Sequence, residues 1–202
     1  MAANTAAFKT AIRALLCPSD GSNTSGVMAN RSNLDSNAAS SWGTTNYKAV
    51  SGANYGAPFA NSSTVGRNAV SQDNRDQGNG IICVNAYNDP GNVTKMKDIL
   101  DGTSKTLAIG EAVPEWCSRT TWFFGNHASA NCAGPPNYRV GVVDLVAVST
   151  DATNNVFFFS KHPGGVTFAL CDGSTTFLLD SIDLAIYRQL ATISAQETAS
   201  LP

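Results

Sequence analysis

The stretch KHPGGVTFALCDGSTTFLLD, Lys161 to Asp180, decides how the second half of this chain folds. Val166, Phe168 and Leu170 alternate with Thr167, Ala169 and Cys171, the period of a strand with two unlike faces. Asp172-Gly173 follows, a dipeptide suited to a type I′ turn with positive φ at both central residues. Thr175, Thr176, Phe177 and Leu178 then favour a returning strand. The predicted element is a β-hairpin with His162 at its base. A nucleophilic pair of Cys171 and His162 is excluded by that geometry. Nine residues separate the two, so at about 3.3 Å per strand residue they stand roughly 25–30 Å apart, whereas a nucleophile and its base must touch.

Outward from the hairpin, the remaining signals are shorter. In NTAAFKTAIRALLCPSDG, Phe8, Ile12, Leu15 and Leu16 fall at helical spacing, with Asn4 or Thr5 as cap and Pro18 as stop. Residues 21–80 are dense in Ser, Asn, Gly and Thr and read as long ordered loops, with one strand near TTNYKAVSG. Residues 81–180 are β-rich. GNGIICVNAY, the segment after Asp101-Gly102, TTWFFGN, VGVVDLVAV and NNVFFFS all read as strands. A terminal helix over 181–192 carries Ile182, Ile186 and Leu190 on one face, with Ser181 or Asp180 as cap. The predicted class is α+β: one domain over 1–202, a mainly antiparallel sheet, long loops, and a C-terminal hairpin followed by a short helix.

Composition narrows the function. Charged residues are 14% of the chain, against roughly 25% in an average soluble domain, and the deficit is filled by amides, hydroxyls and small residues. A net charge of -2 offers no electrostatic footprint for nucleic acid or anionic membrane. No apolar run reaches the length of a spanning helix. The five cysteines form no CxxC, and His127 and His162 lie outside zinc-finger spacing. Cys117 and Cys132 bracket a loop whose closure by a disulfide would contribute roughly 3 kcal/mol in an oxidising compartment. Cys17 with Cys83 is the second candidate pair, and Cys171 reads as a buried free thiol.

Further motifs carry a resemblance. His162, nine intervening residues and Asp172-Gly173 match the H-x9-D-G signature of bacterial prepilin-like proteins similar to type II secretion pseudopilins, a family of unknown function. LLCPSDG, with Cys17, Pro18, Ser19 and Asp20, resembles the family's C-P-S-D element, and TNYKAVSG its N-Y-x-x-x-x-G stretch. DILDGTSKTLAIGE, with Asp101, Gly102 and Glu111, is similar to its D-G-T-S-N-T-x-x-x-G-E block, with Lys105 where Asn is usual. SIDLAIYRQLAT resembles the segment leading to a terminal G-G-E, where ISAQET stands here.

The resemblance implies a pilin-like headgroup: the exposed, non-enzymatic part of a surface or secretion filament subunit, extracellular or on the cell surface. Members carry a basic leader and a long apolar helix ahead of the head. Nothing in Met1 to Asp20 matches these, so the chain is expected to hold the headgroup alone, without the helix through which copies would assemble. No cofactor is expected. Calcium is the one candidate ion, with Asp101 and Asp172 in their D-G-[ST] turns as ligands, although no EF-hand pattern is present. Glu111 is expected to be half-buried in a structural hydrogen bond, and His162 to bond the loop at Gly164 and Gly165 or a neighbouring D-G turn. Trp42, Tyr47, Tyr55, Trp116, Trp122 and Tyr138 raise an alternative, an adhesion module that stacks aromatics on glycans. A Ser/His/Asp hydrolase has no nucleophile elbow here.

Overall fold

A computed structural model describes residues 4–31, 40–54, 78–82, 93–138, 154–196 and 201. Its elements are α1 (Thr5–Phe8), β1 (Val27–Met28), β2 (Trp42–Gly43), β3 (Tyr47–Val50), β4 (Leu107–Glu111), α2 (Gly125–Ala128), β5 (Ser129–Ala130), β6 (Gly165–Leu170), β7 (Thr175–Leu179) and α3 (Leu184–Leu190). Among the described residues β1 and β2 pair alone, and five strands form a sheet in the order β5-β3-β4-β6-β7. Only β3 with β5 is parallel; β3–β4, β4–β6 and β6–β7 are antiparallel. The α+β class and the C-terminal hairpin with its short helix are as expected.

The hairpin forms because β6 has one apolar face. Val166, Phe168 and Leu170 are buried, while Thr167 and Ala169 are half-buried. Phe168 packs edge-on against Phe158 and Tyr187, which joins the sheet to α3 through a core containing Val50, Leu107, Leu178 and Leu190. The turn differs from expectation. Gly173 N–H donates to the Leu170 carbonyl at 3.0 Å, so Cys171 and Asp172 are its central residues. Gly173 is at φ 88°, and Asp172 is not among the positive-φ residues. A turn of this kind followed by a left-handed glycine replaces the type I′ turn. Cys171 therefore sits half-buried in the turn rather than inside the strand.

Three other expectations are corrected by tertiary contacts. The N-terminal helix is broken: Ile12 is extended, at φ -110° and ψ 104°, between α1 and a single 3-10 turn at Arg13–Leu15. Phe8 stacks on Phe123 at 4.3 Å, and the Thr10 carbonyl accepts from Trp122 Nε1 at 3.0 Å, which pulls the chain off the helical path. TTWFFGN contributes one bridge, Thr44 to Thr121, and then enters α2. NNVFFFS, expected as a strand, opens in a 3-10 turn at Asn154–Val156, and its side chains divide between Phe158 in the sheet–helix core and Val156, Phe157 and Phe159 in a second cluster with Val113, Trp116 and Cys117. Its backbone bonds reach Asn131, Asn137 and Glu111, so it is not a ladder strand.

At the C-terminus, α3 starts later than expected. Asp183 caps it by accepting from Ala185 and Ile186 N–H, while Asp180 accepts from Asn137 Nδ2 instead. Tyr187 and Leu190 form the buried face, and Ile186 is 36% exposed. The expected strand at 140–148 and the second half of that at 78–87 lie outside the described residues, as do Tyr55 and Cys83, and 78–82 form no strand.

Candidate functional site

β4 and β6 run antiparallel, with Leu107 opposite Leu170 and Gly110 opposite Phe168. That register carries Glu111, at the end of β4, to the beginning of β6, beside His162. It also carries the Asp101-Gly102 turn to the opposite end, beside Asp172. The motif residues therefore form two groups, one at each end of the same ladder.

At the first end, Glu111 is 5% exposed and divides its two oxygens. Oε2 accepts from Thr167 N–H at 2.7 Å, and Oε1 lies 3.2 Å from His162 Nε2. Cys17 Sγ approaches the same two atoms, 3.9 Å from Glu111 Oε1 and 4.0 Å from His162 Nε2. The Tyr47 hydroxyl faces Cys17 and Glu111; burial, followed by those two neighbours, raises its pKa. His162 is thus engaged with Glu111 rather than with Gly164, Gly165 or an Asp-Gly turn. Glu111 has the expected hydrogen-bonding role and is more deeply buried than half.

A charged group adjoins this cluster. Asp20 is 4% exposed and accepts from Ser22 N–H at 3.1 Å, Asn46 Nδ2 at 2.7 Å and Lys161 Nζ at 3.0 Å. Burial opposes ionisation of its carboxyl, but the bonds from Ser22, Lys161 and Asn46 together outweigh burial and hold its pKa below the ordinary value. Lys161 also reaches Glu115 at 2.7 Å and lies over the Trp116 ring. Burial works against its charge as well, yet Glu115 and Asp20 raise its pKa. Asn46 ties the two groups together: its Oδ1 accepts from Cys17 N–H at 3.2 Å and Asn23 Nδ2 at 2.8 Å, while Nδ2 also reaches the Ala112 carbonyl.

Of the expected site residues, Cys17, Ser19, Asp20, Glu111 and His162 line this one small cavity, with Pro18 in the same segment. Asn46, Lys161 and Glu115 were not singled out from sequence, and Tyr47 was named only as an aromatic of the glycan-stacking alternative. Asn46 and Tyr47 stand inside the TNYKAVSG stretch and Lys161 directly precedes His162, so adjacency to motifs was the available signal.

At the second end, Asp172 N–H donates to the Thr103 carbonyl and Cys171 N–H to the Thr106 carbonyl, which docks one Asp-Gly turn on the other. The two aspartate carboxylates have separate partners. Asp172 accepts from Ser174, and Asp101 accepts from Thr192 Oγ1, Ala195 N–H and Gln196 N–H, closing off the chain after α3. Among the described residues, the group of three or more potential ligands is Cys17, Glu111 and His162.

The cysteine pairing also differs. Among the described residues no disulfide joins Cys117 to Cys132, and Cys17 and Cys171 are likewise unbridged. Cys117 belongs to the second cluster and Cys132 to the sheet–helix core, so the two thiols are packed in different places. Burial pushes both thiols to high pKa, with Cys132 beside the Tyr187 hydroxyl. Cys17 is committed to Glu111 and His162, and its candidate partner Cys83 lies outside the described residues. The aromatic candidates are mostly packed. Trp42 and Trp116 are buried, Trp122 is held against Phe8 and Phe123, and Tyr138 packs on Phe157.

The fold and site define an α+β protein in which a polar cluster locks the N-terminal segment to the sheet. Residues 1–185 match the family described as "Protein of unknown function (DUF1559)", and the chain belongs to that family. No curated protein and no solved structure matches it.

Proposed function

We propose that this protein is the headgroup of a pilin-like filament subunit, displayed at the cell surface, with a structural rather than catalytic role. The observation that carries this reading is the use made of the motif side chains. Cys17, Asp20, Asn46, Glu111 and His162 are engaged with one another, and their bonds hold the N-terminal segment against one end of the β4–β6 ladder. A head that must transmit force from its N-terminal side needs that junction fixed.

The geometry also argues against cysteine hydrolase chemistry. A nucleophile–base–orienter relay requires the thiol on one imidazole nitrogen and the carboxylate on the other. Here Cys17 and Glu111 approach the same atom, His162 Nε2. The resemblance to prepilin-like proteins and the amide-rich, weakly charged composition add support. On this reading the native subunit carries an apolar helix ahead of the head, anchors by it in the membrane and then assembles by it with like subunits.

The experiment is mass spectrometry of the mature N-terminus from a sheared cell-surface fraction. An N-methylated residue opening a long apolar segment ahead of Ala2 is the expected result. A mature protein that starts near Met1 without such a segment overturns the filament reading in favour of a secreted binding domain.

A further inference from the structure

We infer that Cys17, Glu111 and His162 form a binding site for a divalent transition ion of the zinc class. Thiolate, imidazole and carboxylate are the three donor types such ions take together, whereas calcium and magnesium take oxygen alone. The donor atoms, Sγ, Oε1 and Nε2, lie within 4.8 Å of one another. For a tetrahedral ion with bonds of about 2.3 Å to sulfur and about 2.0–2.2 Å to nitrogen and oxygen, neighbouring donors sit about 3.3–3.6 Å apart. The Oε1–Nε2 separation of 3.2 Å falls about 0.1 Å short of that spacing. The two sulfur separations, 3.9 and 4.0 Å, need to close by only about 0.3–0.5 Å, which a small rotation of the Cys17 side chain supplies.

Two further observations separate this from a chance meeting of polar groups. The Sγ separations of 3.9 and 4.0 Å lie at the outer limit for a thiol contact, and Sγ faces both other donors at once, with the Tyr47 hydroxyl beside it. All three donors converge on one point, the arrangement of ligands around an ion. The carboxylate is also oriented from behind, its second oxygen accepting from Thr167 N–H, an outer bond of the kind that fixes ligand direction in metal sites. The backbones that carry the other two donors are held as well, Cys17 by its main-chain N–H to Asn46 Oδ1 and His162 by its main-chain N–H to Ser160 Oγ.

The charges close as well. Thiolate, carboxylate and neutral imidazole balance a divalent ion, and the neighbouring Asp20 is paired with Lys161, which also reaches Glu115. His162 is 36% exposed at its side chain, so the ion enters from the histidine side. Three protein donors leave a fourth position for water or another small donor. Binding displaces the Cys17 thiol proton to solvent and clamps a segment to a strand 94 residues away.

The test is titration of the reduced chain with Co2+ as a spectroscopic substitute for Zn2+. A near-ultraviolet sulfur-to-cobalt charge-transfer band with the visible bands of a tetrahedral ion is expected, lost on adding Zn2+. Cys17→Ser is expected to abolish the charge-transfer band. His162→Ala is expected to weaken Zn2+ binding at least as far as loss of an outer-shell partner does, about 10- to 100-fold. Circular dichroism of each variant establishes that it is folded. Cys171→Ser and Cys83→Ser are expected to leave the band unchanged. The inference is overturned if the folded wild-type chain gives no charge-transfer band. It is equally overturned if the band survives Cys17→Ser, or disappears with Cys171→Ser or Cys83→Ser, because the ion then sits on another thiol. These outcomes are read on the purified chain and do not depend on whether a filament forms.

Discussion

Replacing Asp20 by alanine tests whether the polar cluster holds the N-terminal segment in place. The carboxylate is 4% exposed and accepts from Ser22, Asn46 and Lys161. Removing it does not strand Lys161, whose Nζ keeps Glu115 at 2.7 Å and partial contact with water. The roughly 3–5 kcal/mol cost of an abandoned buried charge therefore does not apply in full. What is lost is the turn bond from Ser22 N–H, worth about 1 kcal/mol as a cap, and a bond from buried Asn46 to a charged acceptor, worth about 1.5–3 kcal/mol. Asn46 Nδ2 keeps the Ala112 carbonyl, which limits the damage. The expected loss is about 3 kcal/mol on these magnitudes, read as a shift in urea midpoint at unchanged slope with a chelator present.

The pH dependence has a definite sign. The folded carboxyl has a depressed pKa, so its contribution is fully present above the unfolded value of about 3.9 and is lost as pH falls through the lower folded value. The gap between wild type and Asp20→Ala should be widest above about pH 5 and close toward acid. A loss below about 1 kcal/mol at neutral pH, or a gap that does not narrow in acid, would refute the reasoning.

Two other outcomes follow from packing. A methyl group at Gly110 would run into the rings of Phe158 and Phe168, both fully buried, so Gly110→Ala should destabilise by at least about 1–3 kcal/mol in the same urea assay; a neutral result would mean those rings do not sit over β4. Thiol labelling of the folded protein at pH 8 should leave Cys117 and Cys132 untouched until unfolding, because both are fully buried. It should modify Cys171 slowly, since burial and then Asp172 push that thiol up to about 11; recovery of a Cys117–Cys132 peptide bridge would contradict the separate packing of the two.

Elements whose pattern is local were legible in the sequence. Alternation along Val166–Leu170 set the strand and its inward face, and the Asp-Gly pair placed the turn, although its type depended on which residue took positive φ. Elements settled by distant partners were not. Helical spacing from Phe8 to Leu16 was outweighed by Phe123 and Trp122, more than 110 residues away. The three consecutive phenylalanines alternate sides as a strand would, but their backbone makes isolated bonds, to Asn137 and to Glu111 at the end of β4, instead of a ladder. The site was half legible. Its residues were in view as motif members, and their meeting was not, because Cys17 and His162 are 145 residues apart.

The spacing of the two longest motifs now has a physical account. In DGTSKTLAIGE the Asp-Gly turn precedes β4 and the glutamate ends it; in HPGGVTFALCDG the histidine precedes β6 and the Asp-Gly turn follows it. Because β4 and β6 are antiparallel, this inverted order is what brings like to like: glutamate to histidine at one end, Asp-Gly to Asp-Gly at the other. The intervening residues are set by strand length. A one-residue insertion in β6 would turn Phe168 and Leu170 to the opposite face and pull His162 away from Glu111 together. Register, core packing and the polar cluster are therefore a single constraint. The histidine and the distant Asp-Gly pair belong to one motif although they never touch, because a rigid strand holds each in its own site.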